Sequence, residues 1–519
     1  MNSELEIDFN EKYGRIFKGY LAVGFTFSLR IIDRIAIIPV LIYLWSAHTV
    51  SNWLIVFAFF AHVTLILSGI PTQAVNYMND KVIRKDWRAV QELYSNAFFL
   101  LIIVSGLLIF FFFSTQNLIN WNKLIGLDAI SLSETKWLNL IFILFYSFTA
   151  ILSLPSQAYR AYGLFSRGQM IGNIRMIILF LLIAVAVFSG YGPITVAILY
   201  LITLLIDISC LSWDLPRRCP ELKFKMEFIN INAIKVIGRD GLIFTVLMLG
   251  ETLSLQTNLM ITSHILGASS MLGFILMRAL INLLSTISYE FGRVLWPEIT
   301  LLRINRDIKE FKNINIMLIK ITTSAGIILA AFLFFSGTDL ISCWSGVDNV
   351  LSPNVAMILS ISLISKALYG GSSIFCIALN RLRFLASAQL IGGIVVTIFT
   401  ILLTPGYGLL GSALAFVVSD IFFFTMPSLV CSAKIAGLSL RTVAKKVLFP
   451  EFLAFLLLLI LSWFANMPSL TERWSRFAVA AILYFPLATF VLYWILLNKT
   501  ERLEVKKIIK VFQANIRRG

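Results

Sequence analysis

Apolar runs recur along nearly the whole chain, and each is close to the roughly 20 residues that a helix needs to cross a bilayer. Within hydrocarbon every backbone N–H and C=O must be paired internally, so runs of this length restrict the chain to transmembrane helices. A mean hydropathy of +0.88 lies well beyond what a water-soluble core requires. Fourteen candidate spans are centred near Ile31, Phe60, Val104, Phe145, Phe180, Leu201, Leu253, Leu280, Leu329, Ile364, Val395, Ala415, Leu458 and Leu487. The expected fold class is therefore an all-α membrane protein with about 14 transmembrane helices.

The cations sort these spans into a topology. Of 43 Lys and Arg, thirty-five fall in every second gap between runs. This credits Lys18, Arg175, Arg293 and Lys320 to the loops they border, because long basic side chains snorkel toward water. Only Lys123, Lys136, Arg473 and Arg476 occupy the other gaps. Positive loops stay cytoplasmic, which places both termini inside and makes the number of spans even. The net charge of +16 is accounted for by inner loops facing an anionic leaflet, so no nucleic-acid partner is expected. Acidic residues Glu4, Glu6, Asp8 and Glu11 precede a first apolar run that is too long for a cleavable signal. The five cysteines and three histidines show no ligand spacing, so neither a metal, a cofactor nor a disulfide framework is expected.

The longest inner gap, residues 214–241, divides twelve spans into six and six. The expected domains are an N-terminal six-helix lobe at 1–213, a cytoplasmic linker at 214–241, a C-terminal six-helix lobe at 242–431, and an appended helix pair with a basic cytoplasmic tail at 432–519. An internal echo supports two lobes. Gln169, Gly172, Tyr191, Gly192 and Asp207 in the first are matched by Gln389, Gly392, Tyr407, Gly408 and Asp420 in the second. Arg84, Lys85 and Asp86 after the second span, like Arg306 and Asp307 later, are expected to open short polar helices. Pro71, Pro155, Pro297 and Pro427 lie near inner span ends as hinges or terminators. Six spans preserve orientation, so a site would lie where such repeats face each other. The outer gaps are short, the longest near 115–136 and 337–353, and the gap at 46–53 has no carboxylate. An enzyme acting on the outer face needs a larger external segment with paired acids, which argues against a membrane polymerase or transferase.

Four cations remain inside the runs: Arg30, Arg34, Arg278 and Lys366. A charge at the bilayer centre costs about 2.5–3.5 kcal/mol on insertion scales, so such residues face a protein interior or a wet cavity. Arg30, Asp33 and Arg34 share one face of the first span and leave one net positive charge. Arg278 begins a polar stripe with Asn282, Ser285 and Tyr289, and Lys366 sits in another with Ser362, Tyr369 and Ser373. Glu251, Ser254 and Asn258 share a face of the seventh span. The bland alternatives are an internal ion-pair clamp for the first-span triplet and hydrogen-bonded helix packing for the Ser and Asn stripes. Were these faces to converge, they would form a cationic chamber suited to phosphate oxygens, which arginine grips bidentately. Arg30, Arg34, Arg278, Lys366, Tyr369 and Asn282 are then the expected substrate contacts, with Asp33 and Glu251 serving ion coupling or charge balance. Asp207 and Asp420 are expected at helix ends, and His62 as a satisfied buried histidine.

The first-span Arg30, Asp33 and Arg34, the basic loop 158–163 with Arg160 and nearby Arg167, and Gly408, Gly411, Ser412 and Ala415 at the start of the twelfth span resemble Wzx-type polysaccharide flippases. That family shares a superfamily with multidrug and toxin extrusion proteins and the lipid II flippase. The resemblance implies a V-shaped transporter in the bacterial inner membrane. It would carry an undecaprenyl-pyrophosphate-linked oligosaccharide from the inner to the outer leaflet and perform no chemistry on it. Its implied partners are that lipid-linked oligosaccharide, membrane lipids, and polysaccharide polymerase and chain-length machinery. The alternative on the same fold is a cation-coupled multidrug exporter, which would call for an acidic chamber.

Overall fold

The structure is a computed structural model that describes residues 37–294, 299, 308–348, 350–379, 381, 383–467 and 473–495. The described residues are helical, with no strand among them, and ten helical segments are long and apolar enough to cross a membrane. The chain is a multi-pass membrane protein. Its helices are α1 (Ala47–Ile83), α2 (Trp87–Thr115), α3 (Trp121–Ile125), α4 (Leu132–Ala161), α5 (Phe165–Phe188), α6 (Pro193–Arg218), α7 (Ile231–Thr252) and α8 (Asn258–Leu266). They continue with α9 (Leu272–Val294), α10 (Ile308–Ser345), α11 (Pro353–Ala378), α12 (Arg383–Ser419), α13 (Met426–Ala436), α14 (Leu440–Val443), α15 (Phe449–Ala465) and α16 (Arg473–Ile495).

Every expected span from the second to the fourteenth has its centre in one of these segments or in the π-turn Leu253–Thr257 that joins α7 to α8. The first span lies outside the described residues up to residue 36. Several local expectations are corrected. The gap at 46–53 shrinks to Ser46, whose hydroxyl accepts from Thr49 N and starts α1 at once. Arg84, Lys85 and Asp86 do not open a short polar helix. They form a tight turn, and the Asp86 carboxylate accepts from Ala89 N to cap the 29-residue α2. Pro71 and Pro155 lie inside continuous helices and terminate nothing. The eleventh and twelfth spans are two arms of α12, broken where Gly408 adopts φ 58° and ψ −140°, a backbone state that glycine enters at little cost. Ser419 Oγ donates to Gly392 O at 2.8 Å, which ties the arms together as a hairpin.

The chain divides into two compact units. The first comprises Met1–Ile275, Trp344–Gly346 and Leu382–Phe424; the second comprises Leu276–Cys343, Val347–Arg381 and Thr425–Gly519.

In the first unit α1 packs against α2, α4 and α7, and α12 packs against α7 and α8. Lipid tails are as apolar as a leucine, so membrane helices associate through close backbone contact at small residues rather than through greasy burial. Gly69 of α1 fits this rule: a Cβ there would lie 2.3 Å from Gly241 O of α7. Gly250 meets Gln389 of α12 just as closely, at 2.4 Å. Between α1 and α4 the core is aromatic, with Phe60 beside Phe142 and Tyr146 at ring distances of 5.9 and 6.5 Å.

Both ends of this unit are tied by polar contacts, one set at the cation-poor ends of the helices and one toward the cation-rich ends. At the cation-poor end the buried Asn52 donates to Asp128 Oδ1 at 2.8 Å and accepts from Asp128 N at 2.9 Å. Ser269 donates to the same carboxylate at 2.6 Å, and Trp45 donates to Tyr191 O. At the cation-rich end Arg167 forks onto Asp214 at 2.7 and 2.8 Å, Tyr159 donates to Asp214 at 2.8 Å, and Arg160 donates to Asn76. The connection after α6 is strapped to α2, where Asn96 bonds Phe228 O and Asn230 N.

In the second unit α10 and α11 approach at Gly326, where a Cβ would meet the Ala367 methyl at 2.4 Å. The appended α16 docks on α10. Its buried Tyr484 donates to Ile328 O at 2.8 Å and stands beside Phe332.

Candidate functional site

The cations buried in spans set the site, and two of them lie on described helices of the second unit. Arg278 is 2% exposed, one turn past the buried Phe274 and next to the buried Met277. On the same face of α9, Asn282 is half-buried, and its carbonyl accepts from Ser285 and Thr286 at 3.0 and 2.8 Å. The Ser285 hydroxyl is thus spent inside its own helix rather than on a neighbouring one. Met277 points elsewhere, toward Gly337 of α10.

Lys366 and Tyr369 are half-buried on α11, and the packing of that helix explains their direction. Leu363, Ala367 and Gly371 face α10 at Gly326, Thr322 and Ile319. Ser365 and Ser372 face α13 and share hydrogen bonds with Thr425 and Ser428. At 100° per residue, the row of Ser362, Lys366, Tyr369 and Ser373 lies between these two contact faces. Ser362 donates back to Leu359 O, whereas the buried Ser373 hydroxyl has no hydrogen-bond partner among the described residues.

Glu251 is half-buried on α7 in the first unit. The expected shared face with Asn258 is altered, because the π-turn Leu253–Thr257 intervenes and rotates α8 relative to α7. Asn258 is fully buried and bonds Thr400 Oγ1 at 2.7 Å and Ser412 Oγ at 3.0 Å. Thr262 also bonds Ser412, so this cluster holds α8 to both arms of α12. His62 is half-buried, and its ring nitrogens bond Phe59 O and Thr257 Oγ1. Arg30, Asp33 and Arg34 lie outside the described residues.

Other polar groups were placed differently from expectation or passed over. Asp207 forms an ion pair with Arg175 at 2.8 Å, clamping α6 to α5, so Arg175 belongs to a helix contact rather than to a loop. Lys320 does not snorkel, being 6% exposed within α10. One turn on, Ser324 donates to Glu451 of α15 at 2.9 Å, and Glu451 is 2% exposed. A basic residue with a serine four places later and an acid in a distant helix was the available signal, but only the fold joins positions 127 residues apart.

Outside the spans, electrostatics is local. Burial works against the charged form of Asp128, but hydrogen bonds from Ser269 and Asn52 outweigh it and hold the carboxyl below its ordinary value. Burial pushes the Cys219 thiol up to about 12, with Glu221 and Asp214 adding to the effect. Among the described residues no cluster of three or more His, Cys, Asp or Glu is arranged to hold a metal ion.

No protein-family model matches the chain, and no curated protein matches it. Solved structures do. The lipid II flippase MurJ in an inward closed conformation is similar at a TM-score of 0.67 and 14% identity, covering 91% of this chain and 98% of MurJ. An inward-facing multidrug resistance MATE family transporter of the MOP superfamily gives 0.66 at 11% identity, over 79% of this chain and 94% of that one. A MOP superfamily transporter from Pyrococcus furiosus, described as having a binding pocket of reverse polarity that suggests a different function, gives 0.55 at 11% identity over 82% and 96%. The chain therefore has the fold of MOP superfamily transporters.

Proposed function

We propose that the chain is a flippase that moves a polyprenyl-pyrophosphate-linked oligosaccharide from the cytoplasmic to the outer leaflet of a bacterial inner membrane. The observation that carries this reading is Arg278, a guanidinium-bearing side chain 2% exposed on a helix long and apolar enough to cross a membrane, in a chain with a transporter fold. Lys366 and Tyr369 add a cation and an aromatic ring on the row of α11 that lies between its contacts with α10 and α13. A headgroup with negative oxygens is the cargo for which buried basic groups are worth their desolvation. Arg278, Lys366, Asn282 and Tyr369, joined by Arg30 and Arg34, grip the pyrophosphate and first sugars while the polyprenyl tail stays in lipid. Asp33 and Glu251 balance charge or couple an ion, and a cargo that binds the two conformations unequally drives alternating access. The polysaccharide polymerase and chain-length machinery act on the product at the outer face.

Multidrug export is the second reading, favoured by the likeness to MATE transporters. The Pyrococcus furiosus protein carries a pocket described as reversed in polarity on the same fold, which supports pocket charge rather than fold as the determinant of cargo. Proteoliposomes containing the purified protein distinguish the two. A fluorescent polyprenyl-pyrophosphate saccharide should cross the bilayer with the wild type and stay put with Arg278→Ala, while Arg278→Lys recovers only part of the rate. Transport of a lipophilic cation instead, undiminished by Arg278→Ala, would overturn the flippase reading.

A further inference from the structure

Along the contact between α11 and α13 the side chains are small and polar. Ser365 meets Thr425, Ser372 meets Ser428 one to two turns on, and the next pair in the ladder is Cys376 and Cys431. The two thiols are neighbours that interact with each other. One residue links the two positions: Arg381 N donates to Cys376 O at 2.8 Å and Arg381 O accepts from Cys431 Sγ at 3.9 Å. Arg381 thus bridges the Cys376 backbone and the Cys431 sulfur. Cys376 is fully buried and also bonds Ser372 O, whereas Cys431 retains 8% exposure. The proposed transport uses neither residue.

The geometry points to Cys376 and Cys431 as an oxidation site, a facing dithiol that a peroxide converts to a disulfide bolting α11 to α13. Cys431, the sulfur with residual access, attacks the peroxide; an S–O bond forms, the O–O bond breaks and one water leaves. The Cys376 sulfur then attacks that sulfenic sulfur, an S–S bond forms, the S–O bond breaks, and the second water carries away the Cys376 proton. The two thiols lose two electrons in total and the peroxide gains two. Rates of such exchange depend on a second thiol already within reach, which the ladder supplies. Hydroxyl contacts permit two helices to slide, and a covalent bond does not. Since α11 carries Lys366 and Tyr369, the bond would arrest transport, a consequence that rests on the flippase reading.

The test uses the full chain in proteoliposomes titrated with hydrogen peroxide, followed by alkylation, digestion and mass spectrometry. The Cys376 and Cys431 peptides should appear joined, with the loss of two hydrogens, and separate again on reduction. In Cys376→Ser, Cys431 should stop at sulfenic acid, trappable by a dimedone-type reagent. If both thiols survive a dose that oxidises the half-buried Cys210 and Cys343, the oxidation site is overturned. In the same vesicles flipping should be lost on oxidation and return with dithiothreitol, with Cys376→Ser insensitive. A joined pair with undiminished flipping overturns the lock. Reduced vesicles that flip no lipid-linked saccharide at all overturn the flippase reading instead, and leave the peptide result standing.

Discussion

Arg278 and Lys320 show what decides whether a single residue can be read from sequence. Both are long cations 6% exposed or less. Arg278 was identifiable because it sits deep in an apolar run, where hydrocarbon leaves few options. Lys320 lies near a span end, where snorkelling is the ordinary outcome. It is buried one turn before Ser324, which bonds Glu451 of α15, and no periodicity within α10 encodes that contact. Asp128 was likewise invisible, since its partners Asn52 and Ser269 come from segments 76 and 141 residues away. Its carboxyl lies below the ordinary value when folded, so its contribution to stability is present above the unfolded value and is lost as pH falls through the folded one. Asp128→Asn should therefore lower the unfolding temperature of the detergent-solubilised protein at neutral pH and flatten its decline on acidification. An acid limb identical to that of the wild type would show that the carboxylate bears nothing.

At the scale of elements, hydropathy located the spans but not the joints between them. A π-turn has no composition of its own, so the register change at Leu253–Thr257 was hidden and Asn258 was set on the face of Glu251. The echo between the halves is likewise uneven in its surroundings. A Cβ on Gly392 would lie 2.6 Å from the Cβ of Phe423, whereas one on Gly172 meets nothing within 4 Å. The two glycines should respond in opposite directions. Gly392→Ala must push Phe423, in the π-turn Asp420–Thr425 that follows α12, away from the first arm, at a cost of about 1–3 kcal/mol. Gly172→Ala, in the interior of α5, should stabilise by about 0.5–1 kcal/mol through lost backbone freedom. Thermal unfolding of the two variants side by side checks this, and equal shifts would mean that the contact between Gly392 and Phe423 yields more easily than its geometry suggests.

For the whole molecule, charge in the gaps was the most legible signal. Helix ends assigned to one class meet one another in the first unit. Asn52, Asp128 and Ser269 gather at the cation-poor ends of the helices, while Asn76, Arg160, Arg167 and Asp214 gather toward the cation-rich ends. Which end faces the cytoplasm follows from the positive-inside rule. Single cysteines introduced into an otherwise cysteine-free chain test it. Ser269→Cys should react with an impermeant maleimide in intact cells, and Lys225→Cys only after the membrane is opened. The reverse labelling pattern would invert the topology. Because the contacts around Asn52 and those around Asp214 and Arg167 hold opposite rims, the first unit resembles a cask hooped at top and bottom. Its staves are kept from splaying at either mouth.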